Sequence, residues 1–196
     1  MDAQPATLPG WLLRVSDRPP IQHRLEPAGL SPCFRIVVAP ELLRIQQFWH
    51  DVFPLMKPFA DHDQPFSGDD VWDPLVEARW CGFLHQHLEC FDSLDILDDL
   101  VTALGRHTEA QPAHIETLLL RSVALIDLAC QGMARALLPW AIEDNRLALR
   151  ALFRLFQQQA DGRNTAAAIL TGGKLLRLNP TDDHAVGPVL AMLVEN

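Results

Sequence analysis

Apolar residues recur along this chain with two different periods. Near the front they alternate, and from Pro40 onward they return every three or four positions. Ile21, His23 and Leu25 share one face of an extended run, and Phe34, Ile36 and Val38 share one face of another, by the two-residue period of a strand. A third run spans residues 11–15. The turn-forming stretches SDRPP and EPAGLSP separate the three runs, which predicts a three-stranded antiparallel meander. Three short strands with one apolar face are not stable alone. They must lean on helices, and their edges need cover or a partner.

Leu42, Ile45, Phe48, Trp49 and Val52 mark a first helix, opened by Glu41 after Pro40 and broken by Pro54 and Pro58. Residues 60–70, ADHDQPFSGDD, read as a loop. Asp73 and Pro74 supply the cap and first position of a helix expected to run through LVEARWCGFLHQHLECF. Asp92 or Ser93 caps the next. It turns Leu94, Leu97, Val101 and Leu104 inward, shows Asp95, Asp98 and Asp99 on an exposed face, and ends near Gly105. Pro112 starts a long helix expected to bend near Gly132 and to stop before Pro139. Asp144 or Asn145 caps a further helix, Asn164 another, and Thr181 a last one reaching about Val194. The expected fold class is α+β. A small N-terminal three-stranded antiparallel sheet occupies residues 1–40, and a mainly α-helical bundle of roughly seven helices occupies residues 41–196.

Composition narrows the partners. With 196 residues and 48% hydrophobic content, the chain can bury a sizeable core. A net charge of -9, with no cluster of Lys and Arg, argues against a nucleic-acid surface. The longest apolar region, HIETLLLRSVALIDLACQGMARALL, is interrupted by Glu116, Arg121, Asp127 and Arg135, so it reads as a buried helix and no membrane span is expected. The start, MDAQPATLPG, lacks the charged and apolar regions of a signal peptide. Cys33, Cys81, Cys90 and Cys130 form neither a C-x-x-C pair nor a disulfide framework, and the expected location is the cytoplasm.

Few motifs carry chemistry. In WCGFLHQHLEC, Cys81 and His85 lie four apart with Glu89 one turn on, and His87 and Cys90 form a second pair. Such spacings place two ligands on one metal, yet a closed site needs a third and fourth. The competing reading packs Cys81 and Cys90 and leaves the histidines at the edge of the core. TGGKLL fails as a phosphate loop, because Ala stands where the first Gly is needed and Leu175 follows Lys174. Gly172 and Gly173 fall inside a helical pattern, where they suit close packing. No G-x-S-x-G occurs. The carboxylate pairs in DILDD and FSGDD read as solvated acidic runs. No catalytic residue and no cofactor is assigned to this chain.

The segment ADGRNTAAAILTGGKLLRLNPTDDHAVGPVLAML resembles a tetratricopeptide repeat, and LLRLNPTDDHA, residues 175–185, matches the junction between its helices. Pro180 stops one helix and Thr181 caps the next. The resemblance covers about residues 146–194, one repeat plus a closing helix, whereas a solenoid needs about three repeats. It implies a helical scaffold.

Strands ahead of a helical bundle form an order found in peptide-modification systems, where a small sheet takes the leader of a precursor peptide as an added strand. Main-chain bonds then give the affinity, and alternate side chains choose the sequence. In size, element order, acidic character and the stretch PCFRIVVAPELL, most of the chain resembles the MbnC family, the partner proteins of methanobactin biosynthesis. That resemblance implies a heterodimer with an iron-dependent oxidase of a barrel fold. The pair uses oxygen to convert cysteines of a precursor peptide into oxazolone and thioamide groups, and the iron belongs to the partner. Phe34, Arg35, Ile36, Val37 and Val38 are the expected peptide-facing segment, with Arg35 available to a peptide carboxylate. The alternative places this strand in the centre, fully paired, with the first or second strand at the edge. Two competing functions remain: a tetratricopeptide-like adaptor or chaperone that binds a protein through its helices, and a metalloenzyme using Cys81, His85 and Glu89.

Overall fold

The computed structural model describes residues 15, 18–29, 32–53, 74–106 and 112–195. The loop at 60–70 and most of the expected first strand lie outside the described residues. Val15 alone of that strand is described, and it is buried in a helical turn. Two strands are present among the described residues where three were expected: β1, Arg24–Pro27, and β2, Phe34–Val37, paired antiparallel with Arg24 opposite Val37 and Pro27 opposite Phe34. The second expected run, 21–25, enters the ladder only at Arg24. Ahead of it, the Ile21 amide donates to Asp92 Oδ2 at 3.1 Å and His23 Nε2 donates to the Asp92 carbonyl at 2.8 Å.

Among the described residues seven α-helices follow: α1 Pro40–Val52, α2 Pro74–Gln86, α3 Leu94–Arg106, α4 Pro112–Ala129, α5 Glu143–Asp161, α6 Thr165–Leu178 and α7 Val186–Glu195, with a 3-10 helix at Leu88–Asp92 between α2 and α3. The class is therefore α+β, mostly helical beside a small antiparallel sheet. Leu42, Ile45 and Trp49 of α1 are buried as their spacing predicts, although Phe48 is 47% exposed. Leu94, Leu97, Val101 and Leu104 of α3 all enter the core. Ser93 Oγ accepts the Ile96 amide at 3.3 Å, and Asn164 Oδ1 accepts the Ala167 amide at 3.4 Å, so both act as the helix caps they resemble.

Four local expectations are corrected. The α2 helix stops at Gln86, and His87, stacked on Phe83 at 4.7 Å, begins the turn that carries Asp92 inward. The α4 helix stops at Ala129. Gly132 then adopts a φ of 79°, and the chain runs back so that Leu137 lies beside Cys33. Neither Asp144 nor Asn145 caps α5, because the Asn145 side chain faces β2. Thr181 does not cap α7. Asp182 does, accepting the Val186 and Gly187 amides at 2.7 and 2.9 Å.

The repeat-like end packs α5, α6 and α7 in succession. A Cβ at Gly172 would lie 2.9 Å from Leu190 and 3.0 Å from Phe156, so glycine there lets α6 approach both neighbours. A Cβ at Gly173 would meet nothing within 4 Å, so the packing role falls to the first glycine alone.

At the centre of the molecule sits a buried charge. Asp92 is fully buried and Arg121 is 2% exposed. Arg121 Nη2 and Arg18 Nη2 both donate to the Asp92 carboxylate. Arg121 Nε also donates to the Phe91 carbonyl at 3.1 Å, and its Nη1 donates to the Arg18 carbonyl at 2.8 Å. Every arm of the guanidinium is used, which a buried ion pair requires if its desolvation is to be offset. Removing one partner leaves the other charge stranded. Asp92→Ala is expected to cost about 3–5 kcal/mol in chemical denaturation. Arg35→Ala, which breaks an exposed 3.0 Å pair with Glu26, is expected to cost less than about 1 kcal/mol. Equal losses in the two variants would contradict this ranking.

Candidate functional site

The two edges of the sheet differ. Ala28 N donates to the Cys33 carbonyl at 2.9 Å, so that pair, and by alternation Glu26 with Arg35 and Arg24 with Val37, exchange the ladder hydrogen bonds. The main-chain groups of Phe34 and Ile36 therefore point away from β1. Three of these four groups are taken by the chain itself. Phe34 N donates to the Leu137 carbonyl at 2.8 Å, Asn145 Nδ2 donates to the Phe34 carbonyl at 2.9 Å, and Ile36 N donates to Asn145 Oδ1 at 3.0 Å. Asn145 is fully buried, and its amide stands in for a neighbouring strand.

The strand singled out in the sequence, Phe34 to Val38, is therefore interior along its outer side. Arg35 reaches Glu26 at 3.0 Å and Asp144 at 3.8 Å within the same chain. Among the described residues the unpaired side belongs to β1. Its Leu25 amide and carbonyl point away from β2, and no group among the described residues hydrogen-bonds to them.

A cleft of about 290 Å³ adjoins this sheet, walled by Ile36 and Val38 on one side and by Gln46, Asp95, Leu147 and Arg150 on the others. His23 and Val38, which both line it, stand one residue beyond the Arg24–Val37 pair that closes the ladder. The cleft thus lies at one end of the sheet.

Behind it runs the acidic stretch DILDD, and its burial was not visible in the sequence. Asp98 and Asp99 are each 5% exposed, and Asp95 is half-buried. Each is tied to another element. Asp95 Oδ2 meets His50 Nε2 at 2.7 Å. Asp98 accepts from Arg150 at 2.7 Å and from Arg154 at 3.0 Å. Asp99 Oδ2 accepts from the Trp49 indole at 2.9 Å. Burial pushes the Asp99 carboxyl up to about 9, with the charge of Asp95 adding to the effect. The run joins α1, α3 and α5 instead of forming a solvated face.

The metal candidates do not converge. Cys81 and His85 lie on α2, and Glu89 lies in the separate 3-10 helix, where it meets His87 Nδ1 at 3.4 Å. Among the described residues no group of three or more His, Cys, Asp or Glu side chains is placed to hold a metal ion. Cys90 is fully buried, and burial drives its thiol well above the ordinary range, as expected of a packing residue. All four cysteines are free thiols. Among the described residues no helix is long and apolar enough to cross a membrane.

Comparison of the chain with protein-family models, with curated proteins and with solved structures gave no match. The functional reading therefore rests on the residues and their geometry.

The Asp99 proton has a measurable consequence. The folded chain holds it to about pH 9, whereas the unfolded chain releases it near 3.8. Between those values the folded state binds more protons, so this group makes stability fall as pH rises, by up to ~1.4 kcal/mol per pH unit. His23 and His184 are lowered by burial from 6.5 and act in the opposite sense below that value. The Asp99 contribution is therefore read between pH 6.5 and about 9. Asp99→Asn is expected to flatten the decline in urea-derived stability over that range while keeping an acceptor for Trp49. An unchanged slope would refute a buried, protonated Asp99.

Proposed function

We propose that this chain is a non-catalytic, cytoplasmic subunit that takes an extended precursor peptide as an added strand along β1. In the manner of the MbnC family it resembles, it presents that peptide to an iron-dependent oxidase that modifies the peptide's cysteines. The observation that carries this reading is the asymmetry of the sheet. Asn145 and Leu137 occupy the outer side of β2, while the main-chain groups of Leu25 on β1 have no partner among the described residues. An open donor and acceptor pair on a short strand is what strand addition requires. The peptide-facing segment is thus β1 rather than Phe34 to Val38, and β1 becomes the central strand once the peptide is seated. The chemistry resides in the partner subunit, whose iron supplies the oxidation.

One feature favours the adaptor alternative. Leu170, Met192 and Val194 on α6 and α7 are 75%, 56% and 68% exposed, giving the repeat-like end an apolar surface of its own.

A single variant separates the two. Leu25→Pro deletes an edge amide without touching a ladder bond, a position where proline is tolerated. Purified from its native host, the tagged chain is expected to bring down an iron enzyme and a short cysteine-containing peptide, and Leu25→Pro to lose the peptide. Recovery of neither from the unaltered chain would overturn the proposal. A protein partner retained equally by the chain and by Leu25→Pro, with no peptide, would favour the adaptor.

A further inference from the structure

The cleft beside the sheet contains two buried hydrogen-bond acceptors that lack a donor among the described residues. His23 is 3% exposed, and its Nε2 faces the Asp92 carbonyl at 2.8 Å. A carbonyl only accepts, so Nε2 carries the ring proton. Burial lowers the imidazole from its ordinary value and keeps it neutral. Nδ1 then carries the lone pair; no donor among the described residues bonds to it, and the Val37 main chain lies beside the ring. Asp95 commits Oδ2 to His50, while its buried Oδ1 likewise has no partner. Both residues line the same cleft. Buried acceptors without donors are costly, and a native site normally supplies what they lack.

The missing group is a donor, and the surroundings favour a positive one. Of the cleft's two cations, Arg150 is bound to Asp98 at 2.7 Å, and Arg146 donates to the Trp140 carbonyl at 3.3 Å with its guanidinium 5.8 Å from that ring. Glu143 and Asp144, both exposed, line the cleft as well. Its volume of about 290 Å³ lies at the floor of the range for small-molecule pockets, roughly 300–1,000 Å³, and suits one side chain rather than a nucleotide or other large cofactor. The walls contributed by Ile36, Val38, Leu94 and Leu147 suit an aliphatic stem.

We propose that this cleft receives the ammonium or guanidinium group of a Lys or Arg side chain, held between His23 Nδ1 and Asp95 Oδ1, and that the side chain belongs to the peptide added along β1. This deepens the reading above and rests on it for the source of the side chain. His23, the residue before Arg24, brings the cleft to the start of β1, while Ile36, Val38 and residues of α3 and α5 form its other walls. A basic residue beyond the paired segment would fix the register of a peptide whose main-chain bonds alone leave it free to slip.

The test uses probes that cannot add a strand. The intact chain is titrated with N-acetyl-arginine amide, N-acetyl-lysine amide and N-acetyl-norleucine amide, and the His23 ring nitrogens are followed by NMR. At least one basic amide is expected to shift the Nδ1 resonance, and norleucine amide to leave it in place. Asp95→Asn is expected to weaken that binding about tenfold, the loss of one charge-assisted hydrogen bond. Glu143→Gln, on the exposed rim, gives a second and smaller weakening should Asp95→Asn fail to fold. Equal responses to all three amides, or no movement of His23 Nδ1, would overturn the proposal. Leu25→Pro should keep the response to the basic amide. Failure of strand addition and failure of the cleft are thereby told apart.

Discussion

The structure depends on one buried carboxylate. Asp92 has no exposed surface and must be matched by groups from three directions: Arg121 on α4, Arg18 ahead of the sheet, and the Ile21 amide. Taking a carboxylate and a guanidinium out of water costs several kcal/mol per ion, which only near-complete hydrogen bonding can offset. This requirement pins residues 18–23 to the helical body and delivers the chain to β1 in a defined place. A two-stranded sheet is not stable by itself. Here it is held by polar links at its base and by Ile36, which enters the core.

A second side chain decides what the sheet can do. Asn145 offers an acceptor and a donor at strand spacing and closes β2 from α5. With Leu137 it turns what would be a two-edged ribbon into a sheet with one side taken. The position where a further strand could add, and the cleft at its end, both follow from that closure. The acidic run of α3 has a related structural part. By binding His50, Arg150, Arg154 and the Trp49 indole, it fixes α1 and α5 as the walls of the cleft.

The helical periods were legible because they depend on near neighbours. Leu42, Ile45, Trp49, Leu94, Leu97, Val101 and Leu104 all entered the core as their spacing implied. The failures share a cause. Asp92, Asn145 and the DILDD carboxylates are short polar residues of the kind that favour caps and exposed faces. Whether such a residue caps its own helix or satisfies a distant group depends on what folds against it. Ile36 and its partner Asn145 are 109 positions apart. The same distance hid the state of the sheet's edges. The alternation of Phe34, Ile36 and Val38 announced a strand, while its outer neighbours, Leu137 and Asn145, came from a region that read as helix and cap.

The central claim is that the outer side of β2 is bonded to Leu137 and Asn145 of the same chain, while the Leu25 main-chain groups on β1 have no partner among the described residues. Amide hydrogen exchange of the intact, unliganded protein, resolved residue by residue, tests it most directly. The account predicts strong protection at Phe34 and Ile36, whose amides are bonded to Leu137 and Asn145, and exchange many-fold faster at Leu25. Protection at Leu25 equal to that at Ile36 would contradict it, as would rapid exchange at Ile36.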